Sequence, residues 1–158
     1  MFRTMRRCKQ QLSVDECKAI LRAETRGVLS MLGEDGYPYG IPMNHWYCTE
    51  TGKLYFHGAK EGLKIELLRK HEKVCFTVFD KGTQKEGDWA LVVRSVVVFG
   101  KMSFVEDEET AKRVCTELCR KFTNDEDYIR RELETSLQHV LCLELSPDHI
   151  VGKRVTES

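Results

Sequence analysis

The sequence predicts an α+β domain that is mainly β, its antiparallel strands closed into a small barrel-like sheet with helices at the periphery. Three observations carry this reading. Short apolar or alternating runs recur, separated by turn signals such as Glu34-Asp35-Gly36 and Glu50-Thr51-Gly52. Helical periodicity is confined to a few separate segments and does not alternate regularly with strands, which argues against a doubly wound parallel sheet. Neither G-x-G-x-x-G nor G-x-x-x-x-G-K-S/T occurs, so the two commonest phosphate loops are absent.

The elements follow in order. Residues 1–12 read as a mobile basic arm carrying Arg3, Arg6, Arg7 and Lys9. Ser13, with Glu16 three residues on, is a capping box, and the helix it opens is expected to run to about Ala23 and bury Val14, Cys17, Ile20 and Leu21. Gly27–Leu32, Tyr37–Cys48 and Lys53–His57 read as strands of a meander. Pro38 and Pro42 suit an edge or a bulge, because proline cannot donate to a ladder. In the third strand, Leu54 and Phe56 fall on one face, Tyr55 and His57 on the other. Ala59–Lys70 switches to helical spacing, with Leu63, Leu67 and Leu68 forming the apolar face. Lys73–Phe79 alternates again. Trp89–Val105 is long for one strand, so a bend near Ser95 or Gly100 is expected. Glu106–Phe122 has the strongest helical period, with an acidic first turn and Arg120 and Lys121 in the last. A shorter helix from Asp125 to about Leu133 and a strand from Val140 to Leu145 close the chain.

Bulk properties narrow the function. The 158 residues suit a single domain, 1–158, and no linker or repeat divides it. Lysine plus arginine equals aspartate plus glutamate at 25 each, so the basic excess of a nucleic-acid binder is missing. The most apolar stretch, Ala90–Phe99, is too short for a membrane span and contains Arg94. The basic arm lacks the apolar run of a signal peptide, and seven cysteines without a C-x-x-C pair read as reduced thiols. A cytoplasmic protein that binds neither nucleic acid nor membrane is expected.

The segment from Leu54 to Lys64 carries the most chemistry. A strand runs through Gly58 and Ala59 into a helix start, with Lys60 and Lys64 at four-residue spacing. Free amides at a helix start, the helix dipole and an added ammonium together suit a phosphate. On the residues alone, a solvated lysine face is the stronger reading, because helix starts are many and anion sites few. His57 is open in the same way between a structural histidine and a ligand contact. Metal is rejected: Cys115 and Cys119 share a helix face, with His139 and Cys142 downstream, but zinc favours C-x-x-C knuckles.

At this point a resemblance enters. Leu54-Tyr55-Phe56-His57-Gly58-Ala59-Lys60-Glu61-Gly62-Leu63-Lys64 resembles the strand-to-helix phosphate segment of the pyridoxamine 5′-phosphate oxidase-like, FMN-binding split-barrel superfamily. Within it, the nitroimidazole-resistance proteins look most similar. Gly40-Ile41-Pro42-Met43-Asn44 is similar to their V-P-L/M-N strand, Arg94–Gly100 to their S-V-V/I-x-x-G strand, and Val151-Gly152-Lys153-Arg154 to their T-G-K-R ending. The similarity runs from about Met5 to the C-terminus. One departure is His45-Trp46, where the family often has phenylalanine and a small residue; Trp46 reads as core first, ahead of stacking on a ring or filling a substrate space.

The resemblance implies a split β-barrel, antiparallel and Greek-key-like, that forms a homodimer with FMN at the subunit interface. It implies that Lys64 pairs with the FMN phosphate and that Gly58 and Ala59 line its approach. Pro42, Met43 and Asn44 would border the ring, with Ser95 and Val96 on the neighbouring strand. Lys153 and Arg154 would close the site from the other subunit. His57 would touch flavin or ligand and is the candidate catalytic residue. The implied activity is an FMN-dependent oxidoreductase acting on a small oxidised substrate, nitro compounds such as nitroimidazoles included. The alternatives are a non-catalytic flavin- or haem-binding storage or sensor protein, with His57 as axial ligand, and a dimeric scaffold with an empty groove.

Overall fold

Ser13 opens the first helix with the expected reciprocal cap: its hydroxyl accepts from the Glu16 amide at 3.2 Å, and the Glu16 carboxylate accepts from the Ser13 amide at 2.8 Å. The computed structural model describes residues 1–157. Its elements are α1 (Val14–Ala23), β1 (Arg26–Leu32), β2 (Pro38–Asn44), β3 (Trp46–Cys48), β4 (Lys53–Ala59), α2 (Leu63–Lys70), β5 (Lys73–Phe79), β6 (Thr83–Gln84), β7 (Leu91–Phe104), α3 (Glu108–Arg120), α4 (Glu126–Ser136) and β8 (Val140–Glu157). Short 3-10 turns occupy Cys8–Gln10 and Leu137–His139.

The strands pair antiparallel in the order β2-β1-β5-β7-β8-β4-β3, and β6 adds to β7. The β1–β2 hairpin turns at Asp35 (φ 54°) and Gly36 (φ 79°), both left-handed, as a tight two-residue turn between twisted strands requires. Only His45 separates β2 from β3. The first half of this bent segment pairs with β1 (Arg26↔Asn44) and the second with β4 (Trp46↔Tyr55), so the two ends of the sheet meet in one piece of chain. Among the described residues no ladder pair joins β2 to β4 beyond the bend, and the barrel is split along that line.

His45 holds the seam. Its ring is fully buried and donates Nε2–H to the Leu21 carbonyl at 2.8 Å, while its own carbonyl accepts from the Lys121 ammonium at 2.7 Å. Lys121 also donates to the Glu24 carbonyl. The last-turn lysine expected to favour the α3 dipole therefore reaches across to clamp the barrel closure. The barrel interior is filled by Leu29, Leu54, Phe56, Phe76, Val78, Val96, Val98, Leu143 and Leu145. α1 adds Cys17, Ile20 and Leu21 to this core. A second cluster lies outside the barrel, where Val114, Cys115 and Leu118 of α3 pack on Cys48, Tyr55 and Cys142.

Several expectations need correction. Val14 is exposed, because it is the first residue of α1 and lies outside its buried stripe. Leu63 is exposed for the same reason in α2, which starts at Leu63 and not at Ala59. The last strand is not six residues but all of Val140–Glu157, since β7 offers a partner along its whole length. The arm has contacts along it: Phe2 stacks on His149 with ring centroids 4.6 Å apart, and the buried Leu12 donates its amide to the Gly152 carbonyl.

The expected bend falls at Gly100, where the β7–β8 register shifts. A Cβ there would lie 2.2 Å from the Ser146 carbonyl oxygen and 3.0 Å from the Pro147 Cα, both backbone. Gly100→Ala is expected to cost about 1–3 kcal/mol by overpacking at the bulge. Urea denaturation measures it, and an unchanged midpoint would show that the bulge opens freely. No helix among the described residues is long and apolar enough to cross a membrane.

Candidate functional site

The split between β2 and β4 is where the candidate residues gather. β2 lies beside β4 there. Continuing the Trp46↔Tyr55 register past the bend sets Asn44, Met43 and Pro42 against His57, Gly58 and Ala59. Met43 turns its side chain into the core, 8% exposed, so only its backbone borders the split; Pro42 and Asn44 face outward. The Asn44 side-chain oxygen accepts from Arg26 Nε at 2.9 Å.

α2 brings Lys64 back over β4. A Cβ built on Gly58 would lie 2.7 Å from Lys64 Nζ, so the ammonium occupies the space that any larger residue at position 58 would take. Lys64 forms no ion pair among the described residues, and burial lowers its pKa. Gly62 starts α2 at φ 118° without a side-chain cap, leaving the first amides of the helix free. A half-buried cation without a carboxylate, next to free helix amides, fits a phosphate group. Lys60, by contrast, is exposed.

His57 lies on the outer face of β4, directly opposite Cys142 of β8, while the Lys64 ammonium over Gly58 lies on the alternate face and reaches it through its charge. Its surroundings push its pKa below the ordinary histidine value, first by desolvation and then by the Lys64 charge, while Glu132 of α4 pulls the other way. An imidazole at the split, within range of one cation and one carboxylate, can exchange a proton with a bound molecule.

The other candidates are not brought here within one chain. Ser95 pairs with Lys153 at the end of β8 remote from its β4 pairing, about 35 Å along the strand from Cys142. Val96 is fully buried in the core and offers only its backbone. Lys153 shares the outer face with Ser95, whereas Arg154 points to the opposite face and pairs with Glu16 of α1 at 3.3 Å. Trp46 packs as expected, stacked on Tyr55 at 5.3 Å with the Arg113 guanidinium over its ring.

The register reveals residues that the motifs missed. Pro42, Val28, Thr77, Val97 and Val151 form one row across five strands, none of them buried. Two positions along, on the same face, come Asn44, Arg26, Phe79, Ser95 and Lys153. Arg26 was not legible from the turn: counting outward from Asp35-Gly36 would pair Asn44 with Gly27, whereas the observed register is shifted by one residue and pairs it with Arg26. Phe79, 59% exposed, continues the outward alternation of β5. Glu132 had no sequence signal, because only the packing of α4 on α3 brings its charge within range of His57.

Comparison with known proteins agrees with this architecture. No curated protein matches the chain by sequence. Among solved structures, it is similar to a candidate 5-nitroimidazole antibiotic resistance protein from Bacteroides thetaiotaomicron, with 24% identity and a TM-score of 0.76 over 92% of this chain and 87% of that one. It is similar to an FAD-binding protein from Mesorhizobium loti, with 22% identity and a TM-score of 0.65 over 92% and 97%. A flavocytochrome from Azotobacter vinelandii aligns with 19% identity and a TM-score of 0.78 over 98% and 73%. The family model described as pyridoxamine 5′-phosphate oxidase matches residues 13–154, nearly all of the barrel and its helices, and the chain belongs to that family.

Proposed function

We propose that this protein is an FMN-dependent oxidoreductase whose site lies between the β2–β4 split of one copy and the β7–β8 face of a second. The observation that carries the reading is the Lys64 ammonium held over Gly58 without a carboxylate partner. It supports a terminal phosphate at the start of α2, with Pro42 and Asn44 bordering the ring. FMN, when bound, supplies the redox chemistry. His57 holds or gives up a proton beside the ring, and a small oxidised molecule, nitro compounds included, is the proposed substrate. FAD-binding proteins of similar fold support a flavin in general; the one half-buried ammonium over Gly58 favours a single terminal phosphate, that of the mononucleotide.

The dimer is part of the proposal. The partly exposed row of Val28, Thr77, Val97 and Val151 faces outward, and a second copy seated there brings its own Ser95 and Lys153 toward the split. A cytoplasmic setting is supported by seven cysteines that all carry free thiols.

The test is an absorption spectrum of the purified protein with mass identification of its ligand. Oxidised-flavin bands and the mass of FMN are expected. A Soret band would favour the haem-binding alternative, and a colourless protein that takes up no flavin would end the proposal. Light scattering at micromolar protein is expected to give the mass of two chains; a monomer would remove the shared site.

A further inference from the structure

Two cysteines from different elements meet in the second core. Cys115 on α3 and Cys142 on β8 place their sulfurs 3.7 Å apart, the only sulfur–sulfur contact among the described residues. Cys119, one turn further along α3, and Cys48, in the same cluster, make no such contact. A disulfide requires the sulfurs to close to about 2 Å, a movement of less than the width of an atom. The two residues belong to different elements, so the bond would tie those elements together and not merely staple one helix to itself.

We propose that Cys115 and Cys142 are a dithiol–disulfide modification site, oxidised by hydrogen peroxide, whose closure ties α3 to the strand beside His57. Cys115 is 7% exposed and Cys142 only 2%, so the oxidant meets Cys115 first. The Cys115 sulfur, having given its proton to water, attacks one peroxide oxygen; the O–O bond breaks, and the departing oxygen takes up that proton and leaves as water. The Cys142 sulfur then attacks the resulting S–OH, losing its proton as the S–S bond forms and the S–O bond breaks, and a second water leaves. Two thiols lose two electrons, and one peroxide becomes two waters.

The placement gives the bond a consequence. Cys142 is the cross-strand partner of His57 on the same face of the sheet. At its other end α3 leads into Lys121, which clamps the carbonyls of Glu24 and His45 at the barrel seam. A cross-link at Cys115 therefore joins the strand next to the split to the helix that holds the seam closed. Oxidation and site geometry are coupled through one helix.

The experiment treats the reduced full-length protein with hydrogen peroxide, alkylates the remaining thiols and maps the peptides by mass spectrometry. The expected result is an intact mass lower by two hydrogens, one cross-linked peptide pair joining Cys115 to Cys142, and reversal by dithiothreitol. The link is expected to persist in Cys119→Ser and to vanish in Cys142→Ser. The His57 ring resonances are expected to shift on oxidation of the wild type but not of Cys142→Ser. Should Cys142→Ser fail to fold, the wild-type peptide map decides alone. Recovery of both residues in alkylated form, or a bond from Cys115 to Cys119 or Cys48, would overturn the proposal. The readout needs no cofactor, so it stands or falls separately from flavin binding.

Discussion

Acidification from neutrality is expected to remove on the order of 5 kcal/mol of folding free energy through one side chain, His45. The ring is fully buried against Phe76, and its pKa is pushed down to about 3, by burial first and by the nearby Lys121 charge second. The hydrogen bond to the Leu21 carbonyl opposes this only in part. Because that carbonyl can only accept, Nε2 carries the proton, and Nδ1 is left buried without a partner. Protonating Nδ1 would place an unpaired charge beside an ammonium. In the unfolded chain the same imidazole takes up a proton at its ordinary value of about 6.5. The folded pKa is thus the lower one: the stabilisation is complete above pH ~6.5 and is lost as pH falls from there toward ~3, with about 2 kcal/mol gone at pH ~5. Urea denaturation at a series of pH values measures it against His45→Gln. The wild-type curve should fall more steeply through this window, because carboxylates common to both proteins cancel in the difference. Parallel curves would mean that His45 titrates normally in the fold.

The second large effect concerns binding. Lys64→Met is expected to weaken flavin binding by about 1–3 kcal/mol, roughly 5- to 150-fold in Kd, the usual range for a hydrogen bond to a charged group. The methionine keeps the aliphatic stem and removes only the ammonium. Stability should change little, since that ammonium pairs with no carboxylate among the described residues. Gly58→Ala provides an independent check. Its new methyl takes the place of Nζ, 2.7 Å away, and the flexible end of the lysine can swing aside. The fold should survive while the anchor is displaced, so Gly58→Ala should lose affinity although Lys64 is present. Flavin fluorescence titration reads both variants. Wild-type affinity in Lys64→Met would take this residue out of the site.

The local signals in this chain were strong where the physics is local. The Ser13–Glu16 cap, the Asp35-Gly36 turn and the face assignment of Leu54, Phe56, Tyr55 and His57 depend on neighbours within a few residues, and all appear in the structure. The bend at Gly100 was legible because a strand that long must turn somewhere, and glycine tolerates the approach of the Ser146 carbonyl. Met43 and Val96 lie on the expected strands, but their side chains turn into the core, which leaves only their backbone toward the outside. A motif match names a position, and the pleat then decides whether its side chain faces a ligand or the core.

By itself, then, the sequence determined the secondary elements, the antiparallel character of the sheet and the lysine that follows β4 into α2. Tertiary structure alone decided that His45 and Lys121 lock the seam, that Arg26 and Phe79 join the outer row, and that Cys115 meets Cys142. It also decided that Ser95 and Lys153 lie too far along the β7–β8 pair to reach His57 within one chain. The reason is range: capping, alternation and turn geometry are set by residues a few positions apart. Closure of a barrel brings together residues separated by tens of positions, and only the register of the strands fixes which of them touch.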